Sequence, residues 1–288
     1  MANTSLNSSS STPFEKSKLR RIFGTQNNIL RIALAEFLGT FILCLIGLGA
    51  VHEAQVSQTG TLGVCLAFGF AVAFGVYASA GVSGGHINPA VTMAMFTLGK
   101  LASRSIHELF CCLRCVLRPR SASCRNAKFY RQVFIELAGF KLIPETNLAR
   151  LYVTAPSGAY DVNMGSLFFD QIIGTWILIT VIFTVIDAQN VNPGGLAPLL
   201  IGMAAAVSGL AYGANGGGAI NPARDFGPRL FATIFYPGDE TLWDGFFTVP
   251  LFGPLIGGAL GALTYQLSIA AHWPYNAAPS KERDDVSL

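Results

Sequence analysis

Two Asn-Pro-Ala triplets, Asn88-Pro89-Ala90 and Asn221-Pro222-Ala223, stand 133 residues apart, each behind a glycine-rich run. An Asn side chain is a favoured helix N-cap, and Pro at the first helical position has no intrahelical hydrogen bond to lose. Each triplet therefore reads as the start of a helix. The runs Gly84-Gly85-His86 and Gly217-Gly218-Ala219 read as the irregular backbone leading into it. From 88 to 98 there is room for roughly two to three turns before Gly99-Lys100, and the same holds from 221 to about 232. The chemistry this allows is polar and non-covalent. Two helix N-termini would offer positive dipole ends, amide donors and exposed carbonyl acceptors to whatever occupies the space between them. No nucleophile or acid/base pair carries a motif, so an enzyme is not expected. One such triplet in a soluble protein would be a capped turn, but two in matching places need another reason.

Composition supplies the setting. Hydrophobic residues make up 51% of the chain and charged ones 12%, about half the charged share of a soluble domain at ~25%. Apolar blocks at 29–51, 61–80, 167–186, 196–213 and 246–270 are each long enough to cross roughly 30 Å of hydrocarbon as a helix. The chain is thus expected to pass several times through a lipid bilayer. Lys16, Lys18, Arg20 and Arg21 precede the first block and favour a cytoplasmic N-terminus. That block starts too late and runs too long for a cleaved signal peptide. The net charge of +3 gives no basis for nucleic-acid binding. The boundaries expected are a cytoplasmic N-terminal tail over 1–28, a membrane domain over 29–272 and a cytoplasmic C-terminal tail over 273–288.

The triplets belong to a larger repeat. Glu36 in AEFLGTFIL aligns without a gap on Gln171 in DQIIGTWIL, and each lies about 50 residues before its Asn. Repeat one spans 29 to about 150 and repeat two about 157 to 272. Repeats of membrane spans place their site at the interface near the midplane. Irregular backbone at that depth survives only when buried or lining a wet cavity.

The stretches AEFLGTF, SGGHINPAVT and GGAINPARDFGPRLF resemble the major intrinsic proteins, the aquaporins, over 29–100 and 157–272. The resemblance implies an all-α membrane protein: a right-handed bundle of six spans, with two re-entrant half-helices meeting through their Asn-Pro-Ala ends. It also implies a homotetramer with one pore per subunit. Asp225 after Arg224, Arg229 four residues on, and Pro250-Leu251 in the last span resemble the glycerol-conducting branch. At the outer constriction the family's positions fall on Phe68, Gly209, Gly218 and Arg224. Two glycines there imply a wide filter. The expected cargo is water, glycerol or other small polyols, with urea a further candidate, and ions and protons excluded. Arg224 would donate to a hydroxyl and repel cations, and Phe68 would give a polyol's carbon edge an apolar wall. The carbonyls of Gly84, Gly85, His86, Gly217, Gly218 and Ala219 would form a ladder of acceptors. Asn88 and Asn221 would donate at the centre. Glu36 and Gln171 would accept hydrogen bonds from the re-entrant N–H groups. His86 reads as structural rather than as a gate. No cofactor is expected.

One segment departs from the family's pattern. A third span should lie between Lys100 and Val153, yet Arg104, Arg114, Arg118, Arg120, Arg125, Lys128 and Arg131 are spread through it around Pro119. Each Arg near a helix centre costs about 2.5–3.5 kcal/mol on the insertion scale. The sequence therefore predicts a degenerate or broken span over 101–130. Three readings stay open: a shifted reading frame or misjudged exon, a variant without a working pore, or a divergent span tolerated by its neighbours. Cys111, Cys112, Cys115 and Cys124 also lie here, but Cys-x-x-Cys lacks the second pair a zinc site needs, and no metal is expected. A coupled transporter is the rival class. It would carry more ionisable residues in its spans than Glu36, Asp170, Asp187, Arg224 and Asp225.

Overall fold

A computed structural model of the chain describes residues 22–57, 59–100, 151–158, 162–191, 193–235 and 240–274. The described residues form seven helices: α1 (Asn28–Ser57), α2 (Gly60–Ser83), α3 (Pro89–Thr97), α4 (Met164–Ile186), α5 (Ala197–Tyr212), α6 (Pro222–Phe235) and α7 (Thr248–Ser268). No strand occurs among them. Short 3₁₀ turns precede α5 and flank α7. The expectation for 101–130 lies outside the described residues, as do most of both tails.

Helices α1, α2, α4, α5 and α7, with the turns that extend them, are long and apolar enough to cross a membrane. Each is apolar nearly all round, the pattern of a helix in lipid rather than at a water interface. Leu34, Phe37, Phe41 and Leu45 form an exposed stripe on α1, and Leu66, Phe70 and Phe74 form another on α2. These are the faces a bilayer or a neighbouring subunit would cover. Inward faces carry small residues, so backbones approach closely. Where α2 crosses α5, a Cβ on Gly69 would stand 2.7 Å from the Gly202 carbonyl oxygen.

The repeat is visible in the packing. α1, α2 and α3 correspond to α4, α5 and α6. The α2–α5 crossing joins the two halves, and the half-helix α3 of the first half lies on α7 of the second. A Cβ on Gly258 would meet the Ala90 carbonyl oxygen at 2.5 Å, which fixes α7 against the start of α3. α6 extends to Phe235, beyond the end near 232 that the sequence suggested, and carries Pro228 within it.

The two short helices point to opposite ends. The end holding 55–60 and 151–158 is termed upper here. There the Ser157 N–H donates to the Asn215 carbonyl at 2.8 Å, and Asn215 Nδ2 donates to Asp170 near the start of α4 at 2.7 Å. At the lower end of α4, Lys100 Nζ lies 5.1 Å from the Phe183 ring centroid. Beside it Asp187 accepts from Tyr265 Oη at 2.8 Å and Trp273 Nε1 at 2.9 Å. Burial pushes the Asp187 carboxyl up, but these hydrogen bonds, the Gln189 N–H and the Lys100 charge outweigh it and hold it below the usual carboxylate range.

Two outcomes follow from this packing. Reporter domains fused after Lys100 and after Pro156 are expected to fall on opposite sides of the membrane. The same side for both would overturn this arrangement of the halves. Gly258→Val should lower the melting temperature of the detergent-solubilised protein, because overpacking costs typically about 1–3 kcal/mol; an unchanged melting curve would show that α3 and α7 do not meet this closely.

Candidate functional site

Helix termini build the centre. Asn88 adopts an extended backbone, and its Oδ1 accepts from the Ala90 N–H at 2.8 Å, capping α3. Asn221 Oδ1 likewise accepts from the Ala223 N–H at 2.9 Å and the Arg224 N–H at 3.3 Å. With each oxygen spent on its own helix, each amide nitrogen reaches the other half. Asn88 Nδ2 donates to the Ile220 carbonyl at 3.0 Å, and Asn221 Nδ2 donates to the Ile87 carbonyl at 2.9 Å. The two Asn-Pro-Ala ends are therefore joined reciprocally. One N–H of each amide remains for a solute.

The loops leading into the caps are forced into rare backbone conformations. Ile87 and Ile220 sit at φ of 44° and 43°, the left-handed region that β-branched residues avoid. Surrounding hydrogen bonds hold them there. Glu36 Oε2 accepts from the Ile87 N–H at 2.6 Å, while its Oε1 accepts from the His86 N–H at 3.0 Å and from Ser83 Oγ at 2.5 Å. In the second half Gln171 Oε1 accepts from the Ile220 N–H at 3.0 Å. Gln171 Nε2 is buried with no hydrogen-bond partner among the described residues. The two contacts are unequal: three donors converge on the carboxylate and one on the amide.

The upper half of the second loop has an additional anchor. Asp225 Oδ2 accepts from the Thr154 N–H at 2.7 Å and from Thr154 Oγ1, and Asp225 Oδ1 accepts from Arg229 Nε at 2.8 Å. Arg229, 1% exposed, donates further to the carbonyls of Thr154 and Leu242. Asp225 and Arg229 therefore fasten the 151–158 segment over α6 rather than facing solute.

One cavity of about 590 Å³ runs the length of the bundle, from Gln55 and Leu151 at the upper end to Met95 and Ile186 at the lower. Gly84, Gly85, His86, Asn88, Gly217, Gly218, Ala219, Asn221 and Arg224 give it a polar side. Val72, Val76, Leu178, Ile182, Ile201 and Ala205 give it an apolar one. Phe68, Gly209, Gly218 and Arg224, the positions that the resemblance points to, all line it. Arg224 is buried. Its guanidinium carbon sits 4.4 Å from the Phe68 ring centroid, and its Nη1 has no hydrogen-bond partner among the described residues. Such stacking contributes about 0.5–2 kcal/mol and fixes the guanidinium plane. A Cβ on Gly218, at φ of 50°, would stand 3.1 Å from Gly213 Cα, so the turn itself calls for glycine there. His86 Nδ1 pairs with Thr92 Oγ1 at 3.0 Å within its own loop and half-helix. Pro250 and Leu251 lie in the first turn of α7, and neither lines the cavity.

Several participants carried no signal of their own in the sequence. Ser83, Thr154 and the left-handed Ile87 and Ile220 matter through partners roughly 47 to 71 residues away or through backbone geometry. Only the recurrence of Ile before both Asn residues was there to be read.

With this geometry described, known proteins can be set beside it. The family model described as Major intrinsic protein matches residues 24–265. Human Aquaporin-9 is 35% identical over 257 residues, covering 86% of each chain. The glycerol uptake facilitator protein of Pseudomonas aeruginosa is 37% identical over 263 residues, 86% of this chain and 92% of that one. The X-ray structure of the aquaglyceroporin from Plasmodium falciparum superposes with a TM-score of 0.71 at 27% identity, covering 84% of this chain and 98% of that one. The chain belongs to the major intrinsic proteins, a family of multi-pass membrane channels, and to the aquaglyceroporin branch of it.

The supports can be ranked by substitution. Glu36→Gln puts an amide N–H₂ against donors and leaves at least one backbone N–H unpaired, at about 1–3 kcal/mol. Glu36→Leu leaves those of both His86 and Ile87 unpaired and should cost about twice that. Melting temperature and glycerol flux are expected to fall in the order Glu, Gln, Leu. Equal behaviour of all three would show that Glu36 does not hold the loop.

Proposed function

We propose that this chain is a passive channel for water, glycerol and similar small neutral solutes, with urea within its size range, that excludes ions and protons. The observation that carries the reading is the two-sided cavity. The glycine-rich loops, two Asn residues and Arg224 line it together with hydrocarbon side chains such as Val72, Val76, Leu178 and Ile182. A polyol is itself two-sided. Its hydroxyls replace lost water at the polar face while its carbon edge slides along the apolar one.

Charge selection has three sources. The positive ends of α3 and α6 meet at Asn88 and Asn221, and Arg224 adds a fixed positive charge above them. A cation or proton meets an electropositive point at the place where it would have to shed its water. The Asn amides donate but cannot accept, which breaks a proton-conducting chain of waters at the centre.

The chain's relatives support the same cargo, since one is named a glycerol uptake facilitator and another an aquaglyceroporin. The same reading carries a homotetramer in the plasma membrane, with 1–28 and 273–288 as cytoplasmic tails and two repeats in the 29–272 channel domain.

Stopped-flow swelling of proteoliposomes holding the full chain tests the reading. Water and glycerol permeability should rise together, without saturation and without any ion or nucleotide. Flux that needs an ion gradient would make it a coupled carrier instead. At the constriction, Gly209→His should cut glycerol flux at least tenfold and water flux severalfold less, because an imidazole fills space that a polyol needs. Equal loss of both would remove Gly209 from the filter.

A further inference from the structure

We propose that Cys65 is a specificity-determining wall residue of the constriction, beyond the four positions Phe68, Gly209, Gly218 and Arg224; this rests on the channel reading above. Gly209 has no side chain, so something else must bound the passage at its level. A Cβ built on Gly209 would stand 3.2 Å from Cys65 Sγ and 3.8 Å from Cys65 Cβ. The thiol therefore lies directly against the space that the glycine leaves open.

The other side chains at this level are already fixed. Phe68 lies one turn further along α2 than Cys65. Its ring rests on Gly47 of α1, where any Cβ would collide with it, and Arg224 stacks on it at 4.4 Å. Arg224, 8% exposed, lines the same cavity. Phe68 and Arg224 thus form one braced wall. Gly209 and Gly218 contribute backbone. Cys65 is the side chain left to set the width.

Its chemistry suits a polyol. A thiol is small and polarizable and a weak hydrogen-bond former, so it contacts carbon without holding a hydroxyl. Arg224, close by, supplies the strong donors. Of the two cysteines among the described residues, Cys65 lines the cavity, whereas Cys44 packs into the apolar cluster of Leu43, Val76 and Ile87.

The test uses the full chain in proteoliposomes, with water and glycerol permeability measured together. Cys65→Ala should raise the glycerol-to-water ratio about twofold, and Cys65→Leu should lower it at least threefold while water still passes. The second readout is chemical, with methyl methanethiosulfonate as the probe. The Cys65 sulfur, giving its proton to buffer, attacks the reagent's sulfenyl sulfur; methanesulfinate leaves and a methyl disulfide forms. Peptide mass should find that disulfide on Cys65, formed more slowly in molar glycerol, with a fall in glycerol flux. Cys65→Ser should conduct and resist the reagent, whereas Cys44→Ser should stay sensitive.

An unchanged permeability ratio in both size variants, or a Cys65→Ser protein as sensitive as the parent, would overturn the assignment. The parent's own permeability keeps the two readings apart. Without water or glycerol flux the channel reading falls; with flux but no dependence on Cys65, only this inference does.

Discussion

Two hydrogen bonds exchanged between Asn88 and Ile220 and between Asn221 and Ile87 constrain everything around them. Each joins a side-chain amide of one half to a backbone carbonyl of the other. Such a pair closes only if the two half-helices approach end to end from opposite faces. Opposite faces in turn require the two repeats to be inverted relative to one another. The glycine-rich loops of both halves, Gly84 to His86 and Gly217 to Ala219, line the same cavity.

The exchange also explains the strain. For the Ile87 and Ile220 carbonyls to face the opposite Asn, both residues turn into left-handed backbone. That conformation costs about 1–3 kcal/mol each. Buried acceptors on α1 and α4 offset it by binding the N–H groups the turn exposes. The halves solve this differently. A carboxylate gathers three donors in the first, whereas in the second the amide takes one, and the Asp225–Thr154 contact fastens 151–158 over α6.

Much of this was legible in the residues, for identifiable reasons. Long uniform apolar runs leave few choices in a bilayer, so five helices lay within several residues of their expected places. Asn-Pro is a local capping signal, so both half-helix starts were readable at Asn88 and Asn221. Glu36 and Gln171 stood out because polar groups in spans are costly. The donors they bind were not readable, since Ser83 reaches Glu36 across 47 residues of sequence. α6 runs a few residues past the expected end near 232, through Pro228, and Arg229 within it is paired from three directions.

Arg229 has a further consequence, for the order in which the protein is made. Its guanidinium is shared among Asp225 in its own helix, Thr154 some 75 residues earlier and Leu242 13 residues later. As the chain leaves the ribosome, Thr154 waits for α6, and α6 in turn waits for Leu242. Until that last partner emerges, a charged group destined for the interior has a donor to spare. The upper mouth is therefore among the last parts of the molecule to close. A nascent chain halted before Leu242 would hold both repeats' Asn-Pro-Ala ends and still lack a finished entrance.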